Sequence, residues 1–227
     1  MKAAAVGVED SFDDFGWCDE EEPTGDGAID SVIKLAAESK DNRIRLLALA
    51  ERLANEKKGL LEARVFIGIG RVVTASGDTK RGNILFRRAN QLAADAYSAE
   101  TQQEKKPSLM AVVAESSGEM GEGRRAQAEL WQAIGMARSI DPLATVGFST
   151  KLRPTALQCI EQSSVRLGYL KIARSAALSN ATDIDRASGL AFVLRRWSEN
   201  KVKRAKGVPG AALPAQVSIG PPIGGGR

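Results

Sequence analysis

The stretch FIGIGRVVTASGDTKRGNILFRRA, residues 66–89, decides the fold, because it contains two helical patterns joined by a short turn. Apolar residues recur at helical spacing over residues 61–75 and again over residues 79–97. Ser76-Gly77-Asp78 lies between them, and glycine permits the left-handed backbone that often ends a helix. The stretch therefore predicts a helical hairpin.

The same arrangement recurs twice later in the chain. Gly77, Gly121 and Gly168 stand 44 and 47 residues apart, a spacing typical of helical-hairpin arrays. At matched offsets from each glycine, small residues allow two antiparallel helices to approach and large residues fill the space around them. The matched residues are Phe66, Ile69, Gly70, Gly82, Phe86 and Ala89, then Met110, Val113, Ala114, Ala126, Leu130 and Ala133, then Leu157, Ile160, Glu161, Ala173, Ala177 and Asn180. The third unit departs from the pattern at Glu161 and Asn180.

On these residues the chain resembles the tetratricopeptide repeat family. Ile69-Gly70 before the turn, Gly77-Asp78 at the turn and Phe86 after it fit the family motif best. The resemblance covers roughly residues 61–180, although the family period is about 34 residues and these units are longer. It implies an all-α fold of stacked helical hairpins, a TPR-like α-solenoid, in which stacking buries the apolar face of each hairpin. The rival interpretation is a generic α-helical bundle.

Further amphipathic patterns predict helices on both sides of the first unit, with Ser108 and Thr155 as two of the capping residues. The predicted ranges are 29–36, 44–54, 108–120, 124–140, 155–167, 170–179 and a last helix from Asp183. We expect three regions along the chain. They are a disordered acidic arm (1–27), a helical repeat domain (28–200) and a basic, then Gly/Pro-rich, disordered tail (201–227).

Composition argues against most catalytic chemistry. The chain contains no histidine, which excludes Ser-His-Asp and Cys-His catalysis and histidine metal sites. Cys18 and Cys159 lie 141 positions apart, so they form neither a zinc knuckle nor a CxxC pair, and we expect two ordinary thiols. GEMGEG, residues 118–123, lacks the Lys-Ser/Thr ending of a phosphate-binding loop. We therefore expect a protein that is not an enzyme and needs no cofactor or metal.

Charge is strongly segregated. Residues 1–26 carry nine acids and one lysine, a net charge of −8, which leaves +12 for the remainder because the whole chain carries +4. Within the arm, Phe12, Phe15 and Trp17 stand among the acids, a pattern typical of docking peptides. The alternative is a solubilising tail. As a docking peptide, the arm would bind a partner or fold back on the basic body and block its groove.

The resemblance also implies a function. Tetratricopeptide arrays are mostly non-catalytic scaffolds whose first helices line a groove for a peptide or a partner helix. Arg64 and Arg71 are seven residues apart and share one helix face, where two guanidinium groups would hold partner carboxylates or else simply face solvent. The predicted partner-binding residues are Arg64, Arg71, Thr74, Glu115, Gln158, Gln162 and Arg166. We expect an adaptor that binds an acidic or amphipathic protein segment.

The alternative function is RNA binding by the basic body, helped by the cluster Lys201, Lys203, Arg204 and Lys206. Few aromatic residues are present to stack on bases, which favours the protein-binding interpretation. No segment approaches the ~20 apolar residues of a membrane span. We expect a cytoplasmic protein with no membrane partner, and the sequence leaves its oligomeric state open.

Overall fold

The computed structural model describes residues 27–57, 59–146 and 150–205. Within these ranges the chain is an all-α protein, as predicted, with nine helices. The helices are α1 Gly27–Glu38, α2 Arg43–Glu56, α3 Leu60–Ala75, α4 Thr79–Ala99, α5 Lys106–Glu119, α6 Gly123–Ser139, α7 Leu152–Arg166, α8 Leu170–Leu178 and α9 Asp183–Ala205. Between α6 and α7, the two-residue strands β1 (Thr145–Val146) and β2 (Thr150–Lys151) pair antiparallel.

Packing follows chain order. Each helix packs against the next one along the chain, which forms the hairpins α1–α2, α3–α4, α5–α6 and α7–α8. The odd-numbered helices also pack against one another in a row, α1 on α3, α3 on α5, α5 on α7 and α7 on α9. Contacts that stay between neighbours are what stacked hairpins produce. The predicted binding residues all belong to three of these helices, α3, α5 and α7.

The three turn glycines adopt the predicted left-handed backbone. Their φ angles are 101° at Gly77, 84° at Gly121 and 79° at Gly168. At each turn the residue after the glycine donates its N–H to the carbonyl five residues earlier, a helix-ending hydrogen bond of the Schellman type. These bonds join Asp78 to Val73 (3.2 Å), Glu122 to Ser117 (3.0 Å) and Tyr169 to Ser164 (2.7 Å). The repeated turn is therefore a repeated backbone structure as well as a sequence pattern.

The matched small residues lie where the helices of a hairpin meet. A Cβ atom added to Gly70 on α3 would lie 2.6 Å from the ring of Phe86 on α4, closer than real contacts allow. In the hairpin α5–α6, the small residues Ala114, Ala126 and Ala133 are fully buried. The prediction that small residues at these offsets permit close antiparallel packing is confirmed in both hairpins.

In the hairpin α7–α8 the large and small side chains are exchanged between the two helices. Glu161 on α7 occupies the position of the small Gly70, and Ala177 on α8 occupies that of the large Phe86. A Cβ atom on Gly189 of α9 would lie 2.9 Å from Oε1 of Glu161 and 3.1 Å from Cβ of Ala177. Glu161 is buried at this junction of three helices, and burial raises the pKa of its carboxyl to about 8.

Several boundaries differ from the predicted ones. α7 begins at Leu152 rather than Thr155, and Pro154 lies in its first turn, where the missing N–H of proline costs no helical hydrogen bond. α9 continues to Ala205, so the predicted boundary at residue 200 falls inside it. The backbone of residues 201–204 is consequently helical instead of following the last helix.

The expectation of two ordinary thiols is wrong for Cys159, which is disulfide-bonded. Its helix, α7, packs against α5, α6, α8 and α9. Cys18 lies outside the described residues, as do Phe12, Phe15 and Trp17 of the predicted docking peptide, Lys206 and the Gly/Pro-rich tail. Within the described ranges, no helix has the length and apolarity needed to cross a membrane.

Candidate functional site

A buried carboxylate ties three odd-numbered helices together. Glu115 on α5 is 2% exposed. Its Oε1 accepts a hydrogen bond from Nη2 of Arg71 on α3 at 2.7 Å and lies 3.3 Å from Nη1 of Arg166 on α7. Its Oε2 accepts a hydrogen bond from the Ser163 hydroxyl on α7 at 2.9 Å. Glu115 therefore links the hairpin α5–α6 to the hairpins α3–α4 and α7–α8.

Arg71 contacts a second carboxylate one turn further along α5. Its Nε donates to Oε1 of Glu119 at 2.7 Å, while its Nη2 lies 2.6 Å from the same oxygen. The guanidinium thus spans two acids on the neighbouring helix, a geometry that suits the planar donor set of arginine. The Arg71 side chain remains 25% exposed and that of Arg166 24% exposed, so solvent reaches both.

Opposite charges hold Glu115 ionised despite its burial. Burial alone would favour the neutral acid, but Arg166, Arg71 and Arg64, together with the Ser163 hydrogen bond, lower the pKa of Glu115 to about 2. Burial likewise opposes the charge on Arg71, yet Glu119 and Glu115 outweigh it and raise the pKa of Arg71 above its ordinary value. Glu115 and Arg71 therefore both carry their charges at neutral pH.

Arg64 is the most deeply buried arginine of the group, at 5% exposure on α3. Burial and repulsion by Arg166 lower its pKa to about 10, while Glu115 and Asp30 act in the opposite direction. We define the arginine cluster as the six residues that these contacts and fields connect. They are Arg64, Arg71, Glu115, Glu119, Ser163 and Arg166. The cluster holds three guanidinium groups and two carboxylates, and Asp30 of α1 is a third negative charge that acts on Arg64.

Four of the seven predicted binding residues belong to this cluster, namely Arg64, Arg71, Glu115 and Arg166. Gln162 is buried on α7 directly before Ser163, and Gln158 is partly buried one turn earlier on the same helix. Thr74 lies elsewhere. A Cβ atom on Gly82 of α4 would overlap the Thr74 hydroxyl, so this side chain packs inside its own hairpin.

Glu119 and Ser163 were not among the predicted residues. Glu119 lies four residues after Glu115, on the same helix face. It also stands two residues before Gly121, the offset that Arg166 has from Gly168. A comparison of the residues two positions before Gly121 and Gly168 would therefore have identified Glu119 as a candidate.

The cluster is built to hold charge rather than to transfer protons. The one hydroxyl in it, on Ser163, donates to a carboxylate whose pKa of about 2 makes it a very weak base. Among the described residues no group of three potential metal ligands is present. The contacts that these side chains make are ion pairs and hydrogen bonds within the protein.

The search for similar proteins found no match to the chain among family models, curated proteins or solved structures.

Proposed function

We propose that the protein is a non-catalytic adaptor that binds an acidic segment of another protein on the face formed by α3, α5 and α7. The observation that carries the proposal is the arginine cluster. It unites arginines from two hairpins around a buried carboxylate and leaves Arg71 and Arg166 partly open to solvent. The proposal treats the hairpins as a TPR-like α-solenoid and places the adaptor in the cytoplasm.

Arginines in this arrangement suit carboxylates physically. A guanidinium binds a carboxylate through parallel N–H donors, and such charge-assisted hydrogen bonds are stronger than neutral ones. Glu115 and Glu119 already hold Arg71 in place, and Glu115 also holds Arg166. A prepositioned side chain loses less conformational entropy on binding, which favours affinity.

An acidic probe peptide tests the proposal. We would measure by fluorescence anisotropy the binding of a labelled 12-residue peptide with six glutamates and two phenylalanines to the full chain under reducing conditions. Arg166→Gln should weaken binding about tenfold, since a charge-assisted hydrogen bond contributes roughly 1.5–3 kcal/mol. Arg124→Gln is the matched control, because Arg124 is exposed on α6 and the charge change is the same. Equal losses in the two variants would show nonspecific attraction and reject the assignment to this face.

Glu119→Gln gives a result of opposite sign. Glu119 engages Nε of Arg71, so removing its charge frees donor capacity without removing an arginine. The variant should bind the acidic peptide several-fold more tightly, whereas a purely structural role for the cluster predicts unchanged or weaker binding. Binding of single-stranded RNA with a steep salt dependence, at the expense of the peptide, would favour the nucleic-acid alternative.

A further inference from the structure

Three arginines from three helices converge on the turn that follows α8. Nε of Arg138, in the last turn of α6, donates to the Ser179 hydroxyl at 2.9 Å. Nη2 of Arg153, in the first turn of α7, donates to the Ser179 carbonyl at 2.7 Å. Nε of Arg186 on α9 donates to the Asn180 carbonyl at 2.9 Å. Carbonyl groups at the C-terminal end of a helix attract cations, which accounts for the convergence.

Arg186 directs all three nitrogens of its guanidinium group to partners within the protein. Besides the bond to Asn180, its Nη2 donates to the Ala181 carbonyl at 3.0 Å. Its Nη1 donates to Oδ1 of Asp183, also at 3.0 Å. Arg186 therefore has both backbone acceptors and a carboxylate, as expected of an arginine whose role is to hold this turn together.

Arg138 and Arg153 differ from Arg186 because each directs a single nitrogen to the protein. Beyond their bonds to Ser179, neither forms a hydrogen bond or an ion pair with a described residue. Nε of Arg153 is buried and has no acceptor there, and a buried charged donor without an acceptor costs free energy. Nη1 of Arg153 and both Nη atoms of Arg138 thus remain available to a ligand.

The acids at the neighbouring helix ends have partners elsewhere. Oδ1 of Asp141, in the loop after α6, accepts the backbone N–H of Leu143 at 2.9 Å. Oδ2 of Asp185, in the first turn of α9, lies 3.5 Å from Nζ of Lys151. The third of these acids pairs with Arg186, as described above. Within the described ranges the two arginines of α6 and α7 are therefore cations without a carboxylate.

We propose that Arg138 and Arg153 form a binding site for a phosphate monoester group. Both side chains contact Ser179, so the two guanidinium groups lie at a single residue. A phosphate monoester presents three acceptor oxygens and a charge of about −1.5 to −2 at neutral pH, which matches two cations. The planar donor set of arginine binds phosphate through parallel N–H bonds.

The site is held in place on its inner side and open on its outer side. Ser179 is 5% exposed, and its hydroxyl donates to the Ser175 carbonyl at 2.7 Å, which fixes the oxygen that accepts from Arg138. Arg138 itself is exposed and Arg153 is partly exposed, so solvent reaches both. Donors that are held in position before binding lose less conformational entropy, which favours affinity.

The phosphate site is separate from the arginine cluster. Arg153 and Arg166 are thirteen residues apart on α7, which places them about 20 Å apart along the helix. The contacts that define the two sites share no residue. The phosphate site consequently does not rest on the proposed adaptor function.

Arginine side-chain NMR with inorganic phosphate tests the site. The Nε–H signals of Arg138 and Arg153 would be followed in the ¹⁵N-labelled full chain at constant ionic strength. Both signals should shift and saturate in the low millimolar range of phosphate. Arg138→Gln and Arg153→Gln should each weaken binding about tenfold, measured on the arginine that remains, because each removes charge-assisted hydrogen bonds.

Arg87→Gln is the matched control. Arg87 is exposed on α4, in another hairpin, and pairs with no described acid, so the charge change is the same at a different place. This variant should leave the dissociation constant of phosphate unchanged. Equal losses in Arg87→Gln and Arg138→Gln, or no loss in Arg138→Gln, would overturn the proposal. Circular dichroism checks that each variant remains helical, and if Arg153→Gln does not fold, the exposed Arg138 decides.

A phosphoserine peptide distinguishes two sources of the phosphate group. A short peptide of glycine and alanine around one phosphoserine would be compared with inorganic phosphate and with its own unphosphorylated form. Tighter binding of the phosphopeptide than of inorganic phosphate would identify a phosphorylated protein as the source, and the reverse order a small phosphate compound. No shift of either arginine signal with any of these probes would overturn the proposal. The adaptor proposal would survive that failure, because it is measured with an acidic peptide and with Arg166→Gln at the other end of α7.

Discussion

Glu161 should make the stability of the fold depend on pH, and Glu161→Gln should remove that dependence. The carboxyl is buried where α7, α8 and α9 meet, and burial raises its pKa from 4.5 to about 8. The folded state therefore binds a proton that the unfolded state has released between these two pH values. By linkage, the free energy of unfolding falls as the pH rises from 4.5 to 8 and is constant on either side of this window.

The shift sets the size of the effect. One pKa unit corresponds to about 1.4 kcal/mol, so keeping Glu161 protonated at pH 7 costs roughly 3 kcal/mol, and the full cost above pH 8 is about 5 kcal/mol. Glutamine has nearly the same shape and no charge, so Glu161→Gln should be up to about 3 kcal/mol more stable than the wild type at pH 7. At pH 4.5 the difference should nearly vanish.

Urea unfolding followed by circular dichroism at 222 nm, repeated between pH 4.5 and 9, measures this difference. Glu56→Gln is the matched control, since it makes the same chemical change at an exposed position on α2. It should leave the pH profile of the wild type unchanged. Parallel profiles for the wild type and Glu161→Gln across the whole range would refute the argument that burial dominates the carboxyl of Glu161.

Two further predictions concern the packing of the odd-numbered helices. Glu115→Gln should destabilise the fold by roughly 3–5 kcal/mol at pH 7, because it leaves like charges buried together. The pKa of Glu115 in the folded state is about 2, so the wild type loses this stabilisation as the pH falls from 4.5 towards 2. The difference in the free energy of unfolding between variant and wild type, measured by urea unfolding, should therefore narrow over this range. Gly70→Ala should cost about 1–3 kcal/mol in thermal unfolding, because its Cβ would lie 2.6 Å from the ring of Phe86. Gly135→Ala, a control on α6 with no atom within 4 Å of the new Cβ, should instead stabilise by about 0.5–1 kcal/mol, and equal losses in the two alanine variants would contradict the packing argument.

The sequence predicted the helices well because their limits depend on local chemistry. Positive φ at Gly77 requires glycine in either a bundle or a repeat, so the turns could be placed from the pattern alone. Starts of helices were less predictable. The sequence predicts Ser108 and Thr155 as caps, whereas α5 and α7 begin two and three residues earlier. Pro107 and Pro154 fit within a first helical turn, so neither proline marks a boundary.

Part of the site was also accessible from the repeat register. Arg71 and Glu115 stand six residues before Gly77 and Gly121, and equivalent positions in neighbouring hairpins lie close together. Their opposite charges indicate pairing between hairpins, which the structure shows at 2.7 Å. The pattern of a single helix does not distinguish a partner from the next helix in the row, so the prediction of partner contacts for these two residues is unsupported by their pairing.

Two features could not be derived from spacing. Cys18 and Cys159 are 141 residues apart, and no spacing pattern predicts the disulfide bond of Cys159. Glu161 departs from the repeat motif. Its compensation by Ala177 and by Gly189 depends on the approach of α9, which no offset within the repeat unit encodes.

Side-chain NMR of the arginines tests most directly whether the face of α3, α5 and α7 binds acidic chains. The Nε–H signals of Arg71 and Arg166 would be followed in the reduced, ¹⁵N-labelled full chain while the 12-residue acidic peptide is added. The account predicts saturable shifts of both signals, with Arg124 on α6 unmoved. Equal small shifts of all three arginines, or none at saturating peptide, would contradict it.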